Sequence, residues 1–117
     1  VIYKIGTASI EVLTCPDTLK DGEWADFCQR VYDKWARYGY KKQTGEELVV
    51  RPHWAKEWDG LQMGGMPARQ YLKTVAYQDR IVEFKDRLTE IGRSQGWELV
   101  DLQNRFSNAL WDEIVFS

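Results

Sequence analysis

The chain has 117 residues, a formal net charge of −2 and a hydrophobic fraction of 44%. That is enough for a single domain, residues 1–117, burying roughly two-thirds of its unfolded surface around one core. With 16 basic against 18 acidic residues and no local Lys/Arg block, the electrostatic footprint of a nucleic-acid binder is missing. No apolar run approaches the roughly 18 residues that span a bilayer, so no membrane span is expected. Two cysteines, Cys15 and Cys28, are too few for a disulfide framework and lack the paired spacing of a zinc site. Both are expected to be free thiols, with Cys28 buried and inert. The chain opens Val1-Ile2-Tyr3 with no initiator Met and no targeting leader, as a processed chain or a fragment would.

From Tyr3 to Thr14 the β-branched residues Ile5, Thr7, Ile10, Val12 and Thr14 predict a strand, bent at Gly6. Pro16 stops it, and Asp21 is a candidate N-cap for a helix. Trp24, Phe27, Cys28, Val31, Tyr32, Trp35 and Tyr38 follow at helical spacing. They form one apolar stripe that requires burial, which makes Trp24 and Trp35 candidate core residues, and Gly39 marks the helix end. Residues 40–47 read as a polar loop, and Leu48-Val49-Val50-Arg51 as a short buried strand. From Glu57 to Ala68 no period survives, and Gly60, Gly64, Gly65 and Pro67 predict a long irregular loop.

A second helix is predicted from Gln78 to Ser94, with Ile81, Phe84, Leu88 and Ile91 on one face and Gly96 ending it. Leu99-Val100 reads as a brief extended piece. Ser107 is the expected cap of a last helical turn carrying Leu110, Trp111, Ile114 and Val115. The fold class is therefore α+β: a small antiparallel sheet, built from the Tyr3–Thr14 and Leu48–Arg51 segments, with two to three packed helices.

The densest chemical constellation is Arg51-Pro52-His53-Trp54-Ala55-Lys56-Glu57-Trp58, at the boundary between a strand and a Gly-rich loop. Such boundaries are where rigid scaffolds present reactive groups. Neutral His53 can both donate and accept a hydrogen bond. Lys56 can set a cation beside a negative charge that develops during a reaction. The bland reading stands beside this one: a lone His next to Trp is more often structural, and both Trp can be core. Other chemistries find no support, since no nucleophile elbow, no phosphate loop before a helix and no second His for a metal site are present.

The run Arg51-Pro52-His53-Trp54-Ala55-Lys56 resembles the C-terminal motif of the sugar-1,4-lactone oxidases. These are the D-arabinono-, L-gulono- and L-galactono-1,4-lactone oxidising flavoenzymes of the vanillyl-alcohol-oxidase fold group. The resemblance extends upstream to the Ser9–Leu13 strand and the Trp24–Tyr38 helix. Downstream it takes in Phe84 to Leu88 and the segment from Asp101 to Trp111, where Asp101-Leu102 stands in place of the family's Asp-Pro turn. It implies the C-terminal part of the cap domain of an FAD-dependent oxidase, one that oxidises a lactone or polyol hydroxyl with O2 and yields H2O2. The family is often mitochondrial or membrane-associated.

In that reading His53 and Lys56 are catalytic, facing the substrate hydroxyl and the electron-rich end of the flavin. Arg51, Trp54 and Trp58 line the pocket, and Asn108 is a turn or cap residue. No residues here match the FAD-binding domain or the upstream Glu-x-Arg pair. FAD is thus expected only with a separate flavin-binding domain or subunit, and the chain is not expected to be active alone. The alternative is a non-catalytic binding module, in which Trp54 and Trp58 stack on a carbohydrate or dock a protein partner.

Overall fold

The computed structural model describes residues 10–11, 20 and 22–117. Among these residues, five α-helices, two π-helical turns and one two-stranded antiparallel sheet make up the regular structure, an α+β arrangement. Helix α1 spans Glu23–Ala36. Strands β1 (Gln62–Met63) and β2 (Met66–Pro67) form the sheet. Helix α2 (Ala68–Tyr71) continues into a π-helical turn, Leu72–Ala76. Helices α3 (Gln78–Ser94) and α4 (Leu99–Phe106) follow. Helix α5 (Ala109–Trp111) again runs into a π-helical turn, Asp112–Phe116. No helix among the described residues is long and apolar enough to cross a membrane.

The sheet lies where an irregular loop was expected. Met63 pairs with Met66 across Gly64-Gly65, and both glycines have positive φ, 58° and 79°. That is the requirement of a type I′ turn, the two-residue connection whose twist suits a hairpin. A side chain at Gly64 would press on the Tyr71 ring at 3.2 Å, so the turn also fits closely against α2. Each strand is two residues long, too short for alternation to register in the sequence.

Leu48–Arg51, expected as a buried strand, is a correction. It runs without regular pairing after an isolated Tyr40–Glu47 bridge and a Leu48 N–H to Gly39 carbonyl bond. Leu48 and Val49 are exposed, and Pro52 removes the next ladder donor. The Tyr3–Thr14 strand lies outside the described residues apart from Ile10 and Glu11, as do Cys15 and Asp21.

The core forms around the hairpin instead of beneath α1. Trp58, Met63, Ala68, Tyr71, Leu72, Ala76, Ile114 and Val115 are buried in one cluster. None of α1's residues is buried, and Phe27, Trp35 and Tyr38 are exposed. Trp24 is half-buried and stacks on Phe27, so the expectation that Trp24 and Trp35 are core does not hold. Only Tyr32 of α1 packs on the cluster. Cys28 is a free thiol, half-buried instead of buried, and desolvation, followed by the carboxylate of Glu57, pushes its pKa up.

Helix α3 covers the expected residues and ends in a Schellman arrangement at Gly96 (φ 75°), with Trp97 N–H on the Gly92 carbonyl at 2.9 Å. Leu99-Val100 opens α4 and is not extended: the Asp101 carboxylate reaches back to the Glu98 N–H at 2.9 Å, which fixes a helix start there. Asp101-Leu102 is accordingly helical, with Leu102 buried. Asn108, not Ser107, caps α5, accepting from the Trp111 N–H at 3.0 Å.

The helical stretch 109–116 lies alongside 68–76, joined by two side-chain rungs. Arg69 Nη1 meets Glu113 at 2.5 Å, and Lys73 Nζ meets Ser117 Oγ at 2.7 Å. Each rung is one helical turn from the other on both sides, so the two stretches run in the same direction. Arg69 also holds Asp59 through two further bonds, Nε at 2.8 Å and Nη2 at 2.5 Å.

Candidate functional site

The Arg51–Trp58 run divides its side chains between the interior and the surface. Trp58 is 3% exposed, and its indole N–H donates to the Trp54 carbonyl at 3.2 Å. This bond closes a turn over residues 54–58 and satisfies a polar atom that burial would otherwise orphan. The Trp54 ring meets Trp58 edge-on at 6.0 Å, Tyr77 at 5.5 Å and Trp111 in a stacked pair at 5.9 Å. Trp111 in turn contacts Phe84 of α3 at 5.7 Å. The loop is thus tied to the π-helical turn's end, to α3 and to α5 by aromatic contacts in the favoured 4.5–7 Å range.

His53 and Lys56 are exposed. The Lys56 N–H donates to the His53 carbonyl at 3.0 Å, and the Ala55 N–H donates to His53 Nδ1 at 3.2 Å. With Nδ1 accepting, neutral His53 carries its proton on Nε2 and presents a donor there. Lys56 Nζ pairs with Glu11 at 3.0 Å, with 63% and 55% of the two side chains exposed. An ion pair this open to water contributes about 0–1 kcal/mol and is readily exchanged for another partner. Glu57 is engaged elsewhere, accepting from the Trp24 indole at 2.6 Å.

Arg51 sits at the start of the run. Its Nε donates to the Ala76 carbonyl at 3.1 Å, and its guanidinium lies 5.0 Å from the Tyr77 ring centroid. Burial raises the pKa of the buried Tyr71, and the Arg51 charge, followed by the Val50 backbone, opposes that rise.

All five residues singled out in the sequence therefore belong to one loop, with Trp54 and Trp58 anchoring it and His53 and Lys56 displayed. Trp58 offers no ring face for a sugar to stack on, and one face of Trp54 is taken by Trp111. The partners Glu11, Tyr77, Ala76 and Trp111 were not legible in the sequence, because nothing in local spacing links them to the motif. The residue types present, an ammonium and an imidazole N–H at the surface, can meet an oxygen-bearing or negatively charged group. Among the described residues, no group of three or more His, Cys, Asp or Glu side chains is placed to hold a metal ion. No family model, curated protein or solved structure matches the chain.

Proposed function

We propose that the chain is the C-terminal part of an FAD-dependent sugar-1,4-lactone oxidase, contributing one wall of the pocket over the flavin. The reading rests on the Arg-Pro-His-Trp-Ala-Lys run and on one geometric observation. The loop is fixed from behind by Trp54 and Trp58, while His53 and Lys56 project from its outer side. A wall presented to a second domain or subunit needs that division: rigid packing on one side, and polar groups free to meet a substrate on the other. Hydride abstraction from the substrate carbon, with reoxidation by O2 to H2O2, is the chemistry that bound FAD supplies.

This chain's own residues orient and stabilise. The His53 Nε2–H would hydrogen-bond a substrate oxygen. The Lys56 ammonium, released from its weak pairing with Glu11, stabilises negative charge that builds as the substrate is oxidised. A charge that meets the developing anion acts mainly in the transition state, so its loss lowers turnover more than it weakens binding.

The test is made on the protein together with its flavin-binding domain or subunit. The preparation is expected to be yellow, and a lactone or polyol is expected to bleach it anaerobically. Lys56→Ala is expected to slow that bleaching by about a hundredfold, the scale of one electrostatic contact made in the transition state once the flavin-binding partner has enclosed the site. Lys56→Arg should restore it only in part, because a planar guanidinium does not reproduce a point charge. A colourless protein, or a bleaching rate unchanged in Lys56→Ala, would overturn the reading.

A further inference from the structure

We infer that Arg51 and His53 form a receiving site for an oxyanion, a carboxylate or phosphate group. The inference rests on the proposed reading of this loop as a pocket wall only for its biological meaning.

Most arginines with a fixed guanidinium are fixed by carboxylates. Here Arg69 is held by Asp59 and Glu113, and Arg87 by Glu90. Arg51 is held differently, by a neutral carbonyl on Nε and an aromatic ring beneath its plane. No carboxylate among the described residues lies within ion-pair distance of it, and both its terminal amino groups lack a hydrogen-bond partner there. A guanidinium oriented through Nε and a ring face keeps its paired terminal N–H groups in the fork geometry that matches two oxygens of one anion.

His53 stands one proline away. Its Nδ1 is occupied by the Ala55 N–H, so whether neutral or protonated it presents an N–H on Nε2. Pro52 limits the backbone freedom between the two donors. The run from Leu48 to Lys56 contains no acidic residue. Of the carboxylates near it, Glu57 is bonded to the Trp24 indole and Glu11 to Lys56, and Glu47, which precedes the run, makes no ion pair with Arg51. Two donors two residues apart, neither paired with a carboxylate among the described residues, are complementary to an external anion. For a sugar-oxidising pocket this points to a substrate or product bearing an acidic group at the end that meets Arg51.

The experiment follows the His53 ring proton signals by NMR in the intact protein, assigned by their loss in His53→Gln. Inorganic phosphate and D-gluconate are titrated separately, with sodium chloride at matched ionic strength as the control. A saturable shift with one or both anions, absent with chloride, is expected. Phosphate alone identifies a phosphate-bearing ligand, and gluconate alone a sugar carboxylate. Arg51→Gln should weaken the response about tenfold or more, the scale of a lost charge-assisted bond. Arg51→Lys, which keeps the charge and Nζ donors but not the fork, should weaken it to a lesser degree. Equal shifts with chloride would mean an adventitious ion only and would overturn the site. So would a flat titration, or parental affinity in Arg51→Lys should Arg51→Gln fail to fold. A colourless protein with this response intact would reject the oxidase reading and leave the anion site standing.

Discussion

The side-chain amide of Gln29 pairs with both backbone groups of Gln62, donating to its carbonyl at 2.9 Å and accepting from its N–H at 2.7 Å. A helix side chain thereby acts as a third strand for one residue of the hairpin. Gln29 also donates to Asp33 one turn along, at 2.8 Å. Because α1 buries none of its own residues, this clasp and the Trp24–Glu57 bond carry much of its attachment. Gln29→Ala is expected to cost about 1 kcal/mol per lost bond at most, and to speed amide exchange in α1 well beyond that in α3. Gln29→Glu should not rescue it, since a carboxylate would oppose both the Gln62 carbonyl and Asp33. Hydrogen exchange resolved by residue checks both outcomes.

Gly92 sets two opposing effects against each other. It is a helical position, where alanine is normally favoured by about 1 kcal/mol. An added Cβ there would lie 2.8 Å from the Trp97 carbonyl oxygen and 3.0 Å from Leu102 Cδ1. That carbonyl cannot step aside easily, because the Trp97 N–H is bonded back to Gly92. Overpacking of this kind costs about 1–3 kcal/mol and should win. Gly92→Ala is therefore expected to lower the urea midpoint with an unchanged slope.

Asp59 gives a pH dependence of known sign. Its hydrogen bonds with Arg69 hold its pKa below the ordinary carboxylate value. A depressed folded-state pKa contributes stability that is fully present above the unfolded value, near 4, and is lost as pH falls through the folded one. Asp59→Asn should flatten the part of the stability–pH curve below about pH 4 and leave its shape near neutrality unaltered. Thermal melts across that range would show it.

Cys28 should react slowly while the protein is folded. Burial and Glu57 raise its pKa, and the thiolate is the reacting species. Alkylation by iodoacetamide near pH 8 is expected to be slower than for a free thiol, and to reach the model rate in denaturant. Glu57→Gln should speed the native reaction by removing the second of the two causes.

Periodicity found what periodicity can encode. Helix α3 is long, carries apolar residues at regular spacing and ends in glycine, so its limits were readable. The hairpin was not, because two residues per strand carry no alternation and Gly64-Gly65 reads equally as a loop. The stripe of α1 correctly marked a helix but misplaced the core. Amphipathicity says that a face wants cover, whereas Met63, Leu72 and Ile114 were drawn together by tertiary packing that no local pattern announces. At the site, the chemistry-bearing residues stood in one run and were visible. What backs them was invisible, since Tyr77 and Trp111 meet Trp54 only after the chain has folded.

The two rungs joining residues 69 and 73 to 113 and 117 each bridge 44 positions of sequence. During synthesis, at about 5–20 residues per second, Leu72 and Tyr71 must therefore wait some seconds before Ile114 and Val115 exist to cover them. A ribosome stalled within α4 would hold a hairpin and helix whose apolar side stands open, a surface for a chaperone to shield. Folding of this core is thus a late event in translation, completed by the residues that leave the ribosome last among its members.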